Sequence, residues 1–125
     1  MDLQGKAAIV TGGSMGIGRA IALDLATHCA DVAINYRKHA DEAKAILAEI
    51  EQMGRRGLAV QADVASFADA QRMVDTVREK FGRLYILVNN AGVNRDGVVW
   101  KMTEAQWDEV LDTNLKGYFN YIRAV

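Results

Sequence analysis

Short apolar runs alternate four times with longer segments whose apolar residues recur at helical spacing, and this alternation constrains the fold most. The predicted strands are residues 7–10, 31–36, 58–61 and 84–88. The predicted helices come after each strand and are marked by Ile17, Ile21 and Leu25; by Ala43, Ile46, Leu47, Ile50 and Met53; by Phe67, Ala70, Val74, Val77 and Phe81; and by Trp107, Leu111, Tyr118 and Ile122. Connections this short require parallel strands joined by right-handed crossovers. The pattern predicts an α/β fold, a Rossmann-type doubly wound parallel sheet of about four strands in the order 3-2-1-4.

Composition supports one domain and narrows the ligand classes. The chain has 125 residues, 50% hydrophobic and 25% charged, with no proline, and we expect residues 1–125 to form a single dinucleotide-binding domain. The net charge of −1 and the scattered basic residues argue against a nucleic-acid or membrane partner. One cysteine permits no internal disulfide, and the first residues lack an apolar targeting core, so a soluble cytoplasmic protein is expected. His28 and Cys29 alone do not make a metal site, and we predict none.

Glycines at positions 12, 13, 16 and 18 separate the first strand from the first helix. Glycine lets the backbone turn sharply and approach a ligand, and the first turn of a helix offers unpaired N–H groups and the positive end of its dipole. Such a turn can also serve merely to join a strand to a helix. Its place inside a βαβ unit favours a site for the phosphates of a dinucleotide.

The end of the second strand bears on which dinucleotide would bind. In "INYRKHA" no acidic residue is available to the adenosine ribose before Asp41. Tyr36 and Arg37 stand at this position, and Arg37 and Lys38 would place positive charge where a 2′-phosphate lies. The alternative is that both cations are solvated residues of a surface turn. The sequence favours NADP(H) as the cofactor.

Four motifs give the whole chain a resemblance to the short-chain dehydrogenase/reductases. They are Thr-Gly-x-x-x-Gly-x-Gly at 11–18, "ADV" at 62–64, "NNAG" at 89–92 and "TNLKG" at 113–117. The run from "NNAG" onward is similar to bacterial 3-oxoacyl-[acyl-carrier-protein] and acetoacetyl-CoA reductases. The resemblance implies NADPH-dependent reduction of a 3-oxoacyl thioester in fatty acid metabolism, and a homo-oligomer, a tetramer in the full-length family.

The resemblance also implies roles for individual residues. It places the pyrophosphate on the turn that begins at Thr11, against Gly12, Ser14, Gly16, Ile17 and Gly18. Asp63 and Val64 would flank the adenine. The segment Asn89, Asn90, Ala91 and Gly92 would steady the central strand and border the nucleotide.

Asn114 is the one residue predicted to belong to the catalytic machinery. Positions 107, 111, 114 and 118 share one helical face, so the amide is expected on a buried stripe with Trp107, Leu111 and Tyr118. A buried amide needs partners, because leaving it unpaired costs about 1–3 kcal/mol. It could be a core amide that bonds backbone and bends the helix. The resemblance implies instead that it holds a water in a proton relay to a catalytic lysine.

The Tyr-x-x-x-Lys pair that the resemblance also implies does not occur in the sequence. Tyr36, Tyr85, Tyr118 and Tyr121 are followed four residues later by Ala40, Asn89, Ile122 and Val125. We therefore expect residues 1–125 alone to be inactive, since general acid catalysis supplies about 10²–10⁴ in rate. Three interpretations remain open: the cofactor-binding half of a reductase, a nucleotide-binding or regulatory module, or a structural domain that binds nothing.

The last expectation concerns surfaces that residues 1–125 would leave uncovered. In the family another strand pairs with the fourth strand, so that apolar strand would be an open edge. The fourth helix would expose Trp107, Tyr118, Phe119 and Ile122 on one side or another. Residues 1–125 alone are expected either to self-associate through these surfaces or to be marginally stable.

Overall fold

A computed structural model describes all residues, 1–125. The strands are β1 (Ala7–Val10), β2 (Asp31–Tyr36), β3 (Gly57–Gln61) and β4 (Leu84–Val88). The helices are α1 (Gly16–Thr27), α2 (Ala40–Gln52), α3 (Phe67–Phe81), α4 (Glu104–Leu111) and α5 (Gly117–Ala124), with a 3₁₀ turn at Val99–Lys101 and a π-helical turn at Asp112–Lys116 between α4 and α5.

The strands form one parallel sheet in the order β3-β2-β1-β4. Val10 at the end of β1 pairs with Ile34 of β2 on one side and with Val88 of β4 on the other. The carboxyl ends of the strands consequently lie at one edge, and the loops after them meet there. The predicted fold class and strand order are confirmed.

Helices cover both faces of the sheet. One core is formed mainly by α3, α5 and the sheet, and its fully buried residues include Ile9, Met73 and Tyr121. The other lies under α1 and α2 and includes Val32 and Ile46. Two faces packed with helices explain why the strands are apolar along their length rather than alternating.

The residues of α1 that lie closest to the sheet are small. Gly18, Ala22 and Ala26 are buried, whereas Ile17 is 75% exposed. A Cβ atom at Gly18 would lie 2.3 Å from the carbonyl oxygen of Gly12. The close approach of α1 to the turn before it requires small residues there, and Ile21 and Leu25 pack half-buried against the same core.

The fourth predicted helix is present, but its buried stripe was predicted wrongly. Asn114, Trp107, Leu111 and Tyr118 are all exposed, and α4 has no buried residue. The buried residues are Thr113, Gly117, Asn120, Tyr121 and Ala124. The cause is the π-helical turn, which fits an extra residue into the helix and shifts the register of the residues beyond it.

None of the helices has both the length and the apolarity needed to span a membrane.

Candidate functional site

A cleft of about 460 Å³ opens at the carboxyl edge of the sheet. It runs from the glycine turn (residues 11–18) along the ends of β2 and β3 to the loop after β4. Its lining comes from five separate parts of the chain: Gly12, Ser14, Met15 and Gly16; Asn35, Tyr36, Arg37, Lys38 and His39; Ala62, Asp63 and Val64; Asn90, Ala91, Gly92 and Val93; and Thr113. Ligands of open parallel sheets bind at this edge.

The glycine turn adopts a conformation that requires glycine. Gly12 and Gly16 have φ of +63° and +58°, in the left-handed region that other residues rarely adopt. α1 begins at Gly16, and the N–H groups of Gly16, Ile17 and Gly18 have no acceptor within the protein. Three donors and the positive end of the α1 dipole at a cleft suit a phosphate group.

Polar side chains hold this turn against the loop after β4. The Thr11 hydroxyl accepts hydrogen bonds from the N–H groups of Asn90 (2.9 Å) and Ala91 (3.0 Å). The Asn90 amide donates to the carbonyl oxygens of Thr11 (3.1 Å) and Gly12 (3.2 Å). Thr11 is itself buried, so its contribution is to fix the geometry of the turn.

The wall beyond β2 carries the positive charge of the cleft. Arg37 and Lys38 are exposed residues that line it. The carbonyl oxygen of Arg37 accepts a hydrogen bond from Gln61 Nε2 (3.1 Å). Its guanidinium pairs with no carboxylate, unlike those of Arg19 and Arg95. An unpaired guanidinium at the rim of a cleft can bind an anionic group through two hydrogen bonds.

The adjacent part of the wall is the segment after β3, which is tied to two helices. The Asp63 N–H donates to a carboxylate oxygen of Asp69 in α3 (2.9 Å). This hydrogen bond, against the opposing effect of burial and with help from Arg72, lowers the pKa of Asp69. Asn120 of α5 donates to the carbonyl oxygen of Val64 (2.8 Å). These hydrogen bonds hold the segment of Asp63 and Val64 in place, so that a flat ligand could pack against it.

Asn114 has the partners that its amide needs, although it is exposed. Its Nδ2 donates to the carbonyl oxygen of Val93 (2.8 Å), and its Oδ1 accepts from the Val93 N–H (2.8 Å). The neighbouring Thr113 is buried and lines the cleft. The π-helical turn thus fixes the loop after β4, and π-turns of this kind are frequent at functional sites.

Most residues predicted from the sequence line the cleft, namely Gly12, Ser14, Gly16, Tyr36, Arg37, Asp63, Val64, Asn90, Ala91 and Gly92. Thr11, Ile17, Gly18, Asn89 and Asn114 lie beside it without lining it. The sequence analysis did not select Met15, Asn35, His39, Ala62, Val93 or Thr113, and it left Lys38 undecided. A polar Asn35 directly after the apolar run 32–34 of β2 was a signal that could have been used.

Two tyrosines differ in what they offer to proton chemistry. Tyr36 lines the cleft. Tyr121 is fully buried, its hydroxyl donates to the sulfur of Met73 (3.1 Å), and burial raises the pKa of its phenol. Tyr121 is therefore a core residue, since a phenol without access to the cleft cannot transfer a proton there.

Similarity to known proteins agrees with this geometry. The family model for the short chain dehydrogenase matches residues 6–125. A 3-oxoacyl-[acyl-carrier-protein] reductase FabG of Staphylococcus epidermidis is 47% identical over 120 residues, 96% of this chain and 49% of the relative. A 3-oxoacyl-[acyl-carrier-protein] reductase of Synechocystis is 42% identical over 123 residues, 98% of this chain and 50% of the relative. The chain spans about half the length of the curated relatives it matches.

Among solved structures, a short chain dehydrogenase of Burkholderia cenocepacia in complex with NADP superposes with a TM-score of 0.97 at 48% identity, covering 99% of this chain and 51% of that one. The match of the family model to nearly every residue, together with these identities, settles the family. The chain belongs to the short chain dehydrogenase family.

Proposed function

We propose that this chain is the cofactor-binding half of an NADP(H)-dependent reductase that converts a 3-oxoacyl thioester, carried by acyl-carrier protein or CoA, into the 3-hydroxyacyl form. The observation that carries this proposal is the single cleft joining the glycine turn to the unpaired Arg37 guanidinium. The identities to 3-oxoacyl-[acyl-carrier-protein] reductases support the choice of substrate class.

In this proposal each part of the cleft holds a different part of the cofactor. The unpaired N–H groups of Gly16, Ile17 and Gly18 bind the pyrophosphate, with Ser14 beside them. Asp63 and Val64 flank the adenine. Thr11, Asn89 and Asn90 keep the central strands and the turn in place, while Ala91 and Gly92 border the nucleotide. The bound nicotinamide supplies the hydride.

Cofactor choice is assigned to the end of β2. Arg37 binds the 2′-phosphate, with Tyr36 beside it and Lys38 adding positive charge. The NADP in the related Burkholderia structure supports this choice. No carboxylate competes for the guanidinium, so the phosphate would be its first ionic partner.

Asn114 is proposed as the member of the catalytic machinery that this chain contributes. By holding both backbone groups of Val93 it fixes the loop beside the cleft. Its further role in a water-mediated proton relay rests on the family resemblance. Tyr36 is the tyrosine that lines the cleft, and it has no lysine four residues later.

The exposed apolar side chains of α4 and α5 are proposed as the surface where copies of the full-length protein associate in the cytoplasm. Trp107, Phe119 and Ile122 are 55%, 58% and 64% exposed. Side chains of this size rarely stay in water on a monomer. A second candidate function is a nucleotide-binding module without catalysis, for which the cleft and the three unpaired N–H groups at the start of α1 would suffice.

Two measurements on purified proteins test these functions. Calorimetric titration should find that residues 1–125 bind NADPH more tightly than NADH. A spectrophotometric assay should find that they do not reduce acetoacetyl-CoA, whereas a full-length protein containing them does. A full-length protein that binds NADPH without turnover would favour the binding module, and turnover by residues 1–125 alone would contradict the expectation that they are inactive.

A further inference from the structure

Asn35 is a buried polar residue of β2, near the carboxyl end of the strand. It is 3% exposed and lies one residue before the end of β2, between β1 and β3. It also lines the cleft. A polar side chain buried within a sheet requires partners for each of its polar atoms.

The Asn35 amide finds one partner on each neighbouring strand end. Its Oδ1 accepts the N–H of Gly12 in the glycine turn (2.6 Å), and its Nδ2 donates to the carbonyl oxygen of Ala62 (2.9 Å). A backbone N–H only donates and a carbonyl only accepts, so these contacts need an acceptor and a donor on one short side chain. Asparagine meets this requirement, aspartate lacks the donor, and leucine lacks both.

The two partners of Asn35 belong to different parts of the proposed binding site. Gly12 is in the turn assigned to the pyrophosphate, and its carbonyl oxygen is already held by Asn90. Ala62 immediately precedes the segment assigned to the adenine. The Asn35 amide therefore connects two walls of the cleft that are not adjacent in sequence.

We propose that Asn35 is a positioning residue that fixes the distance between the phosphate-binding turn and the adenine wall, and that the cleft binds a dinucleotide tightly only while both of its hydrogen bonds are made. The inference rests on the proposed function, because it assigns these walls to two ends of one ligand. It differs from a purely structural role in predicting a loss of affinity that is independent of the loss of stability.

The test compares three variants by calorimetric titration of NADPH and by thermal melting. Asn35→Leu, which makes neither hydrogen bond, is expected to weaken NADPH binding about tenfold or more. Asn35→Asp keeps the acceptor for Gly12 but faces Ala62 with a second oxygen, and at pH 8 a similar loss is expected. Val32→Ala is the control, since Val32 is fully buried in the same strand and does not line the cleft; it should lower the melting temperature and leave the Kd unchanged.

The pH dependence of NADPH binding is a second measurement, and a purely structural role of Asn35 would not change it. A protonated carboxyl group at position 35 can donate to the Ala62 carbonyl, so the gap between Asn35→Asp and wild type should narrow to about threefold at pH 5.5. Arg37, Lys38, His39 and Asp63 line the same cleft, and each variant is therefore compared with wild type at the same pH. If Asn35→Leu does not fold, the comparison of NADPH binding by Asn35→Asp and wild type at the two pH values tests the inference by itself.

The outcomes separate the inference from the proposed function. If wild type binds neither NADPH nor NADH, the proposed function is wrong, and the inference is wrong with it. Wild type that binds NADPH while folded Asn35 variants bind within twofold of it overturns the inference alone. Equal weakening by Val32→Ala, or a gap that stays constant from pH 8 to pH 5.5, also overturns it.

Discussion

The two ends of β2 satisfy their buried polar residues in opposite ways. At the amino end, the Asp31 carboxylate is buried and accepts hydrogen bonds from the side chains of Arg55 (3.1 Å) and Arg56 (2.7 and 2.9 Å) and from the Arg56 N–H (3.0 Å). At the carboxyl end, the neutral amide of Asn35 bonds backbone groups only. At the first end the carboxylate is bonded by two guanidinium groups, and the second end lies at an open cleft.

The comparison indicates that the amino end of β2 contributes to the stability of the fold, whereas the carboxyl end leaves donors free to bind a ligand. Arg56 also donates to the carbonyl oxygens of Lys80 and Phe81, so the amino end ties β2, β3 and the end of α3 together. The carboxyl end leaves the Arg37 guanidinium and the first N–H groups of α1 without protein partners. Groups that already bond one another stabilise the fold, and unpaired donors remain available to a ligand.

The largest expected effect of a change in either region is on stability, from Asp31→Ala at the amino end. It leaves Arg55 and Arg56 without their carboxylate and should lower the free energy of unfolding by about 3 kcal/mol, at the lower end of the range for buried pairs. The value is low because the Arg56 side chain is 58% exposed and can be hydrated. Urea denaturation measures it, with the exposed Asp75→Ala as a control expected to change it by less than about 0.5 kcal/mol.

Nucleotide affinity of the folded Asp31→Ala protein should equal that of wild type. A large loss of NADPH binding in this variant would break the division between the two ends.

The second effect is on cofactor choice, from Arg37→Asp at the carboxyl end. Loss of a charge-assisted hydrogen bond to the 2′-phosphate should weaken NADPH binding by about 1.5–3 kcal/mol and NADH binding far less. Calorimetric titration with both cofactors measures the ratio. Arg83→Asp makes the same change of charge at an exposed residue beside the start of β4 and should leave the ratio unchanged. Equal weakening of both cofactors by Arg37→Asp would refute the assignment.

The third effect comes from Gly18→Ala, which tests how tightly the glycine turn packs. The new Cβ would lie 2.3 Å from both Asn90 Nδ2 and the carbonyl oxygen of Gly12, so the turn must shift. We expect a loss of about 1–3 kcal/mol in stability, typical of overpacking, together with weaker NADPH binding. Gly5→Ala is the control, in the segment before β1, where φ is +78° and an added Cβ atom would have no other atom within 4 Å. It should destabilise through backbone strain and leave the Kd unchanged; a change in Kd there would contradict the comparison.

The smallest effect is the response to acid. Burial by itself would raise the pKa of Asp31, but hydrogen bonds from Arg56 and Arg55 outweigh it and lower the pKa below the ordinary 3.8. The unfolded chain therefore takes up this proton at higher pH than the folded protein, and the stability that Asp31 contributes is lost as the pH falls below about 4. Urea midpoints at pH 6, 4 and 3 should decline less steeply in Asp31→Asn than in wild type. Identical declines in the two proteins would show that Asp31 does not contribute to the loss of stability in acid.

Local patterns predicted the elements, because apolar runs and glycine stops report backbone conformation directly, and the strand order followed from the usual arrangement of the predicted fold class. β2 and β4 have the predicted bounds, and α3 ends at Phe81 before Gly82 in a left-handed conformation. The buried stripe of the last helix was predicted wrongly, because it depends on an extra residue in a π-helical turn.

The sequence by itself determined an α/β sheet with a phosphate-suited turn after β1, since strand and helix periodicity and glycine positions are local properties. Only the tertiary structure decided which side chains meet at the cleft. Asn35 contacts residues 23 positions before and 27 positions after it, and Asn120 reaches Val64 across 56 positions. Such contacts arise because the sheet places the carboxyl ends of distant strands at one edge, and hydrogen bonding between them is set by that geometry and not by spacing along the chain.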